Sequence, residues 1–136
     1  MIYLRGIISK KNLDHNNHTN ISMYVKFADE SNDNLIKKIY KKKKLFFVAK
    51  KTFIENKSEL LIREKWKIKS LLIKVGDYHI VTRHEIYNVS KNKLSANCFF
   101  YLVPLYKIKK KIYKFEKLEK RALKKKIRIG YMDPFK

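Results

Sequence analysis

Apolar residues in this sequence come in short runs separated by polar loops, and none approaches the roughly 18 consecutive apolar residues of a membrane-spanning helix. Residues 2–9, 21–28, 45–48, 78–87 and 95–103 each read as a strand. In the second, Ile21, Met23, Val25 and Phe27 alternate with Ser22, Tyr24, Lys26 and Ala28, the period of a half-buried strand. The polar stretches Asp14–Asn20 and Asp29–Asn34 then read as loops, and Val75-Gly76-Asp77 as a turn, because Gly accepts positive φ and Asp can bond its own backbone. Residues 55–69 set Leu60, Leu61, Trp66 and Ile68 among charges without a clean period of two, which reads as a short helix or an irregular insertion. Strands with no helices alternating between them predict an antiparallel sheet or barrel.

Pro104 marks the end of that body. Beyond it the spacing turns helical: Ile108, Ile112, Phe115, Leu118, Ala122, Leu123 and Ile127 form one stripe, which predicts an amphipathic helix. From Lys107 to Arg128 that stretch holds twelve basic residues against two acids, Glu116 and Glu119. The whole 136-residue chain, one domain in length, carries 34 Lys+Arg against 12 Asp+Glu, a formal net charge of +22. Such charge repels itself in the compact state, so a polyanionic partner is expected, and nucleic acid offers the densest row of negative charge. With 45% hydrophobic and 13% aromatic residues, the chain is a folded domain rather than a basic tail.

Several chemistries are excluded or disfavoured. With glycine only at Gly6, Gly76 and Gly130, the chain has no glycine-rich phosphate loop. The single Cys98 excludes an internal disulfide or a cysteine zinc site, and in its apolar run it reads as a buried inert thiol. No signal or transit pattern precedes the first apolar run, so a soluble chain is expected. The acids Asp14, Asp29, Glu30, Asp33, Glu55, Glu59, Glu64, Asp77 and Glu85 are scattered, with no pair in an apolar setting. His15 and His18 read as loop histidines, and His79 and His84, an odd number apart, face opposite sides of a strand. Neither a catalytic nor a metal site is expected.

The strongest positive signal is basic. Lys37–Lys51 holds eight lysines in 15 residues, interleaved with Ile39, Tyr40, Leu45, Phe46 and Phe47, so ammonium groups flank a hydrophobic strand and are placed to meet phosphates.

In order along the chain, Arg5-Gly6-Ile7-Ile8-Ser9-Lys10-Lys11, Ile39-Tyr40-Lys41-Lys42-Lys43-Lys44 with Leu45–Val48, Val75-Gly76-Asp77, and Asn88-Val89-Ser90-Lys91-Asn92-Lys93 resemble the bacterial-type ribosomal small-subunit protein seventeen family. That resemblance spans about residues 3–103 and implies an all-β fold, a five-stranded antiparallel OB-fold barrel with an insertion before strand four; the C-terminal basic amphipathic helix read from the spacing lies beyond the family's usual end. Its domains are then 1–105, OB-fold and RNA-binding with the insertion at about 52–72, and 106–136, a basic helical extension. It implies a structural constituent of the small ribosomal subunit, not an enzyme, with no cofactor and no small-molecule substrate. The partner would be small-subunit ribosomal RNA, met through Lys10, Lys11, Lys37, Lys38, Lys41, Lys42, Lys43, Lys44, Lys50, Lys51, Arg83, Lys91, Lys93, Lys109, Lys110, Lys111, Lys114, Arg121 and Lys125. Neighbouring ribosomal proteins would dock through the C-terminal helix, and no membrane is expected. The excess of Lys over Arg, with abundant Ile and Asn, matches an AT-rich coding genome and, together with the extension, points to a mitochondrial ribosome. Two alternatives remain open: a peripheral subunit of an organellar membrane complex held by the basic helix, and a free single-strand-binding OB protein using Tyr24, Tyr78 and Tyr101.

Overall fold

A computed structural model describes residues 2–136, with side chains from Leu4 onward. Strand β1 (Ile2–Ile7) and a single 3-10 turn (Lys10–Asn12) lead to helix α1 (Ile21–Ile39); β2 (Leu45–Asn56), β3 (Lys65–Val75), β4 (Ile80–Asn88), β5 (Lys93–Tyr106) and α2 (Lys117–Lys124) follow. The five strands form one antiparallel sheet in the order β1-β3-β4-β5-β2, so β1 and β2 are its two outer strands. Across β1 and β3, Gly6 stands opposite Trp66 and Arg5 opposite Lys67.

This topology replaces the expected all-β OB barrel. A barrel closes on itself, whereas this sheet has two end strands, and a 19-residue helix stands between its first and second strands in the chain. The alternation at 21–28 is coincidental. The side chains that are buried are Tyr24, Phe27, Ala28, Ser31, Asn32, Leu35 and Ile39, spaced three and four apart as on one helix face. Ser31 and Asn32 interrupt that stripe with polar residues, which hid its period. The supposed loop Asp29–Asn34 is the middle of the same helix. The supposed insertion at 52–72 is the end of β2, a connection and most of β3. In β3, Trp66, Ile68, Ser70 and Leu72 are buried while Lys65, Lys67 and Lys69 face outward, a period of two masked by the charged face. The predicted C-terminal helix shrinks to Lys117–Lys124, and Pro104 lies inside β5. Residues of its expected stripe diverge: Phe115 and Leu123 are buried, but Ile108 is 95% exposed and Leu118 74% exposed.

The chain divides into two compact units. The first comprises residues up to Leu35, Ile54–Ser70 and His84–Cys98. Its core joins Ile8, Tyr24, Phe27, Leu60, Trp66, Ile68, Ile86 and Ala96, with Phe27 stacked on Trp66 at 4.2 Å. Full burial of side chains of this size contributes roughly 1.5–3 kcal/mol each, and that burial holds a helix whose Asp, Asn and Ser content favours caps and turns. Gly6 is required by this packing, since a Cβ there would stand 2.5 Å from the Trp66 ring. A polar thread crosses the same interior: Ser31 and Ser70 share a hydroxyl hydrogen bond of 2.6 Å, and Ser70 Oγ lies 2.6 Å from His84 Nδ1.

The second unit comprises Ile36–Phe53, Leu71–Arg83 and Phe99–Lys136. Leu71, Ile73, Val81 and Phe99 form its core, packed by Tyr101, Tyr131 and Phe135. Glu119, almost fully buried, accepts hydrogen bonds from the Tyr40 hydroxyl at 2.9 Å and from the Tyr113 hydroxyl, with Lys42 and Lys44 at 3.5 and 4.0 Å. Burial alone would push this carboxyl up; the hydrogen bonds from Tyr113, the Glu116 amide and Tyr40 outweigh it and hold it at about 2.

Candidate functional site

The polar loop before α1 is tightly organised. Asp14 Oδ1 accepts the amides of Asn16 and His18 at 2.9 and 3.1 Å, the Asp14 amide donates to the His18 carbonyl at 2.7 Å, and Leu13 bridges Thr19. These bonds to backbone N–H groups, the His18 amide foremost, hold the Asp14 carboxyl below its usual range. Asn17 takes a left-handed φ of 61°, which asparagine tolerates. Asn20 caps α1: its Oδ1 accepts the Ser22 amide at 3.0 Å.

Two contacts strap this loop and the first turn of α1 to the segment after β2, 41 and 36 residues away in sequence. Thr19 Oγ1 donates to the Leu60 carbonyl at 2.5 Å, and the Leu60 amide donates to the Tyr24 hydroxyl at 3.3 Å. The consequence is that His18 Nδ1 meets Glu59 Oε1. Both side chains line a cavity of about 350 Å³ at the N-terminus of α1, together with Thr19, Ile21, Tyr24 and Ser58. Both remain half exposed, at 50% and 56%, so solvent reaches them.

The arrangement supports general-base chemistry. A carboxylate on Nδ1 fixes the imidazole tautomer and leaves Nε2 as the proton acceptor. The N-terminus of the helix contributes the positive end of its dipole, which favours a developing oxyanion. Burial pushes the Tyr24 phenol up, so its hydroxyl stays neutral beside the cavity. Ser58 is a poor nucleophile here because its hydroxyl donates to the Leu94 carbonyl at 2.8 Å. Cys98 is fully buried, which pushes its thiol up to about 12 and keeps it protonated. Among the described residues no group of three or more His, Cys, Asp or Glu side chains is placed to hold a metal ion.

In the sequence His18 and Glu59 read as a loop histidine and a scattered acid. The available signal was the density of Asp, His and Asn just before a capped apolar segment, once that segment is read as a helix.

The basic residues singled out from the sequence are distributed widely, and all but Arg83 are largely exposed. Lys10 and Lys11 lie on the 3-10 turn, Lys37 and Lys38 at the end of α1, Lys41–Lys44 before β2, and Lys50 and Lys51 on β2. Arg83 is on β4, over the rings of Phe99 and Tyr131, and Lys51 sits over Tyr101. Lys91 and Lys93 stand at the β4–β5 connection, where Lys91 pairs with Glu64 at 3.6 Å. Lys109, Lys110, Lys111 and Lys114 follow β5, with Lys114 over Tyr78; Arg121 is in α2 and Lys125 just after it. Of this set, Lys42 and Lys44 converge on Glu119.

A family model described as the thioesterase-like superfamily matches residues 8–117. A search of curated protein sequences returned no match. Among solved structures, the chain is similar to the YbaW probable thioesterase from Escherichia coli, with 14% identity, a TM-score of 0.77, and coverage of 94% of this chain and 100% of that one. It is also similar to Slr0204, a 1,4-dihydroxy-2-naphthoyl-CoA thioesterase from Synechocystis, at 9% identity and TM-score 0.70, covering 88% and 93%. A third is the 12:0-ACP thioesterase from Umbellularia californica, at 9% identity and TM-score 0.78, covering 93% of this chain and 50% of that one. At these identities the solved structures speak to fold alone. The family match and the sheet topology overturn the resemblance to the ribosomal family, and with it the structural role in a ribosome, the ribosomal RNA and protein partners, and the expectations of no catalysis and no small-molecule substrate. The short motifs behind that resemblance were Lys-rich loops and a Gly-Asp turn, which recur wherever basic strands are connected.

Proposed function

The chain belongs to the thioesterase-like superfamily, and we propose that it hydrolyses an acyl thioester in the cavity at the N-terminus of α1. The observation that carries this reading is the His18–Glu59 pair beside that helix end. His18 Nε2 takes a proton from water as the water oxygen attacks the thioester carbonyl. The positive end of the α1 dipole favours the tetrahedral oxyanion. Collapse breaks the C–S bond, and the proton held by His18 passes to the departing sulfur, giving a carboxylic acid and a free thiol. Glu59 keeps the imidazole in the right tautomer and stabilises its cationic form.

A second reading makes Asp14 the base, because both amide bonds fall on its Oδ1 and leave Oδ2 outside them. Thiol release from acyl-CoA substrates, followed with a thiol-reactive dye, separates the two. Asp14→Asn keeps an oxygen acceptor for both amides, so on the first reading it retains kcat within about tenfold, whereas Glu59→Gln loses about 100-fold. The reverse order assigns the base to Asp14, and no thiol release from any acyl thioester, CoA-linked or carrier-protein-linked, rejects the proposed activity.

A further inference from the structure

The large apolar side chains that the fold leaves most open to solvent lie in the C-terminal segment: Ile108 is 95% exposed, Ile129 93%, Met132 86% and Leu118 74%. Two of them are set among cations in a fixed geometry. After β5 the chain reverses in a tight turn, closed by the Lys110 amide on the Tyr106 carbonyl at 2.8 Å and the Tyr106 amide on the Lys111 carbonyl at 2.9 Å. Ile108 stands in that turn between Lys107 and Lys109. In α2, Leu118 shares one helix face with Arg121, Ala122 and Lys125, while the buried face carries Glu119 and Leu123. Both pieces are fastened to one place. The Lys107 amide donates to the Lys44 carbonyl at 3.1 Å, and Glu119 draws the Lys42 and Lys44 ammonium groups to α2 at 3.5 and 4.0 Å. Turn and helix therefore flank the same short segment of the second unit.

From Lys107 to Lys125 stand ten basic residues against two acids, of which Glu119 is buried and Glu116 is the N-cap of α2. The ion pairs of the described residues engage Lys120, with Asp77, and include none of Lys109, Lys110, Lys117, Arg121 or Lys124. Along α2, Lys117, Lys120, Arg121, Lys124 and Lys125 line an open hollow of about 420 Å³ with no acid in its wall, room for a phosphate-bearing headgroup. A row of phosphates or carboxylates alone would engage these cations and leave Ile108 and Leu118 in water. An anionic bilayer takes the ammonium groups at its headgroups and the two apolar side chains at the acyl boundary. Among the described residues no helix is long and apolar enough to cross a bilayer, so the contact is one of surface docking. We propose that the 107–111 turn and the outward face of α2 dock this protein peripherally on an anionic lipid bilayer, with Ile108 and Leu118 entering the headgroup boundary. This docking goes beyond thioester hydrolysis and does not depend on it.

The test is co-sedimentation of the full chain with phosphatidylcholine vesicles carrying about 30 mol% phosphatidylglycerol, and with vesicles of phosphatidylcholine alone. Two variants are compared, Lys109→Gln/Lys110→Gln/Arg121→Gln/Lys124→Gln and the charge-keeping Ile108→Ser/Leu118→Ser. All of these positions are exposed, and circular dichroism melts verify that each protein is folded. Expected is partition onto the anionic vesicles at least about tenfold stronger than onto the neutral ones, weakened about tenfold or more by the glutamine variant and by about 0.5 M sodium chloride. The serine variant should weaken it about threefold or more. Equal partition onto both vesicles, no partition onto the anionic ones, or binding that survives either variant overturns the proposal. So does displacement by soluble glycerol 1-phosphate at the concentration of the lipid headgroups, which assigns the hollow to a free phosphate ester. Retention by RNA or by an acidic protein without vesicle binding gives the patch to that partner and likewise overturns it. Vesicle partition is read without any thioester, so a protein that docks and hydrolyses nothing keeps the docking face and loses only the proposed activity.

Discussion

The loop Leu13–Asn20 and the segment Lys107–Lys136 are opposites in sequence. The loop carries one acid, two histidines and no lysine, while the C-terminal segment carries twelve basic residues by Arg128. In the structure several of those cations act within their own unit. Lys120 pairs with Asp77 at 2.5 Å, Lys126 Nζ donates to the Ile39 carbonyl at 3.0 Å, and the segment's own Glu119 and Asp133 receive Lys42, Lys44 and Lys74. The loop instead uses one carboxylate to fix its backbone and one strap to bring His18 against Glu59 beside a helix end. Charge density here marks how a segment is fastened; the candidate chemistry sits where a few polar groups are held in a fixed geometry.

That contrast can be broken by removing one group from each region. His18→Ala should lower kcat about 100- to 10,000-fold with little change in melting temperature, since its side chain is half exposed. Glu119→Ala should do the reverse. It strands two tyrosine hydroxyls and two ammonium groups around a buried site, and should destabilise by about 3 kcal/mol in chemical denaturation with kcat of the folded protein unchanged.

A smaller effect separates interior from surface. His84 is fully buried, and desolvation holds its imidazole down at about 3 against an ordinary 6.5. Between those values the unfolded chain binds a proton that the folded chain does not, so stability is complete above 6.5 and falls as pH drops. From pH 7 to pH 5 the loss should be about 2 kcal/mol, and His84→Gln should flatten that stretch of the stability curve. A slope that survives the replacement would assign it to other groups. The smallest effect belongs to the exposed lysines: replacing Lys109, Lys110 and Lys111 with Gln should shift stability by less than about 0.5 kcal/mol and leave kcat alone.

Legibility in the sequence followed the same divide between local and long-range order. The runs at 2–9, 78–87 and 95–103 overlap β1, β4 and β5, and Val75-Gly76-Asp77 falls between β3 and β4, because apolar runs bounded by turn residues are local signals. Helix α1 was hidden because its buried face includes Ser31 and Asn32, whose partners lie in the polar interior that Ser70 and His84 complete. Strand β3 was hidden because Lys65, Lys67 and Lys69 gave it the composition of a loop. The site was hidden for a third reason. His18 and Glu59 are brought together by long-range bonds such as those of Thr19 and Tyr24 to Leu60, and nothing in either local sequence announces a pairing between residues so far apart.

The most direct measurement of the central claim is the rate of thiol release from an acyl-CoA by the protein, by His18→Ala and by Glu119→Ala, each at matched folded fraction. Expected are turnover by the unaltered protein, a loss of at least 100-fold in His18→Ala, and full turnover per folded molecule in Glu119→Ala. Full turnover in folded His18→Ala would contradict it.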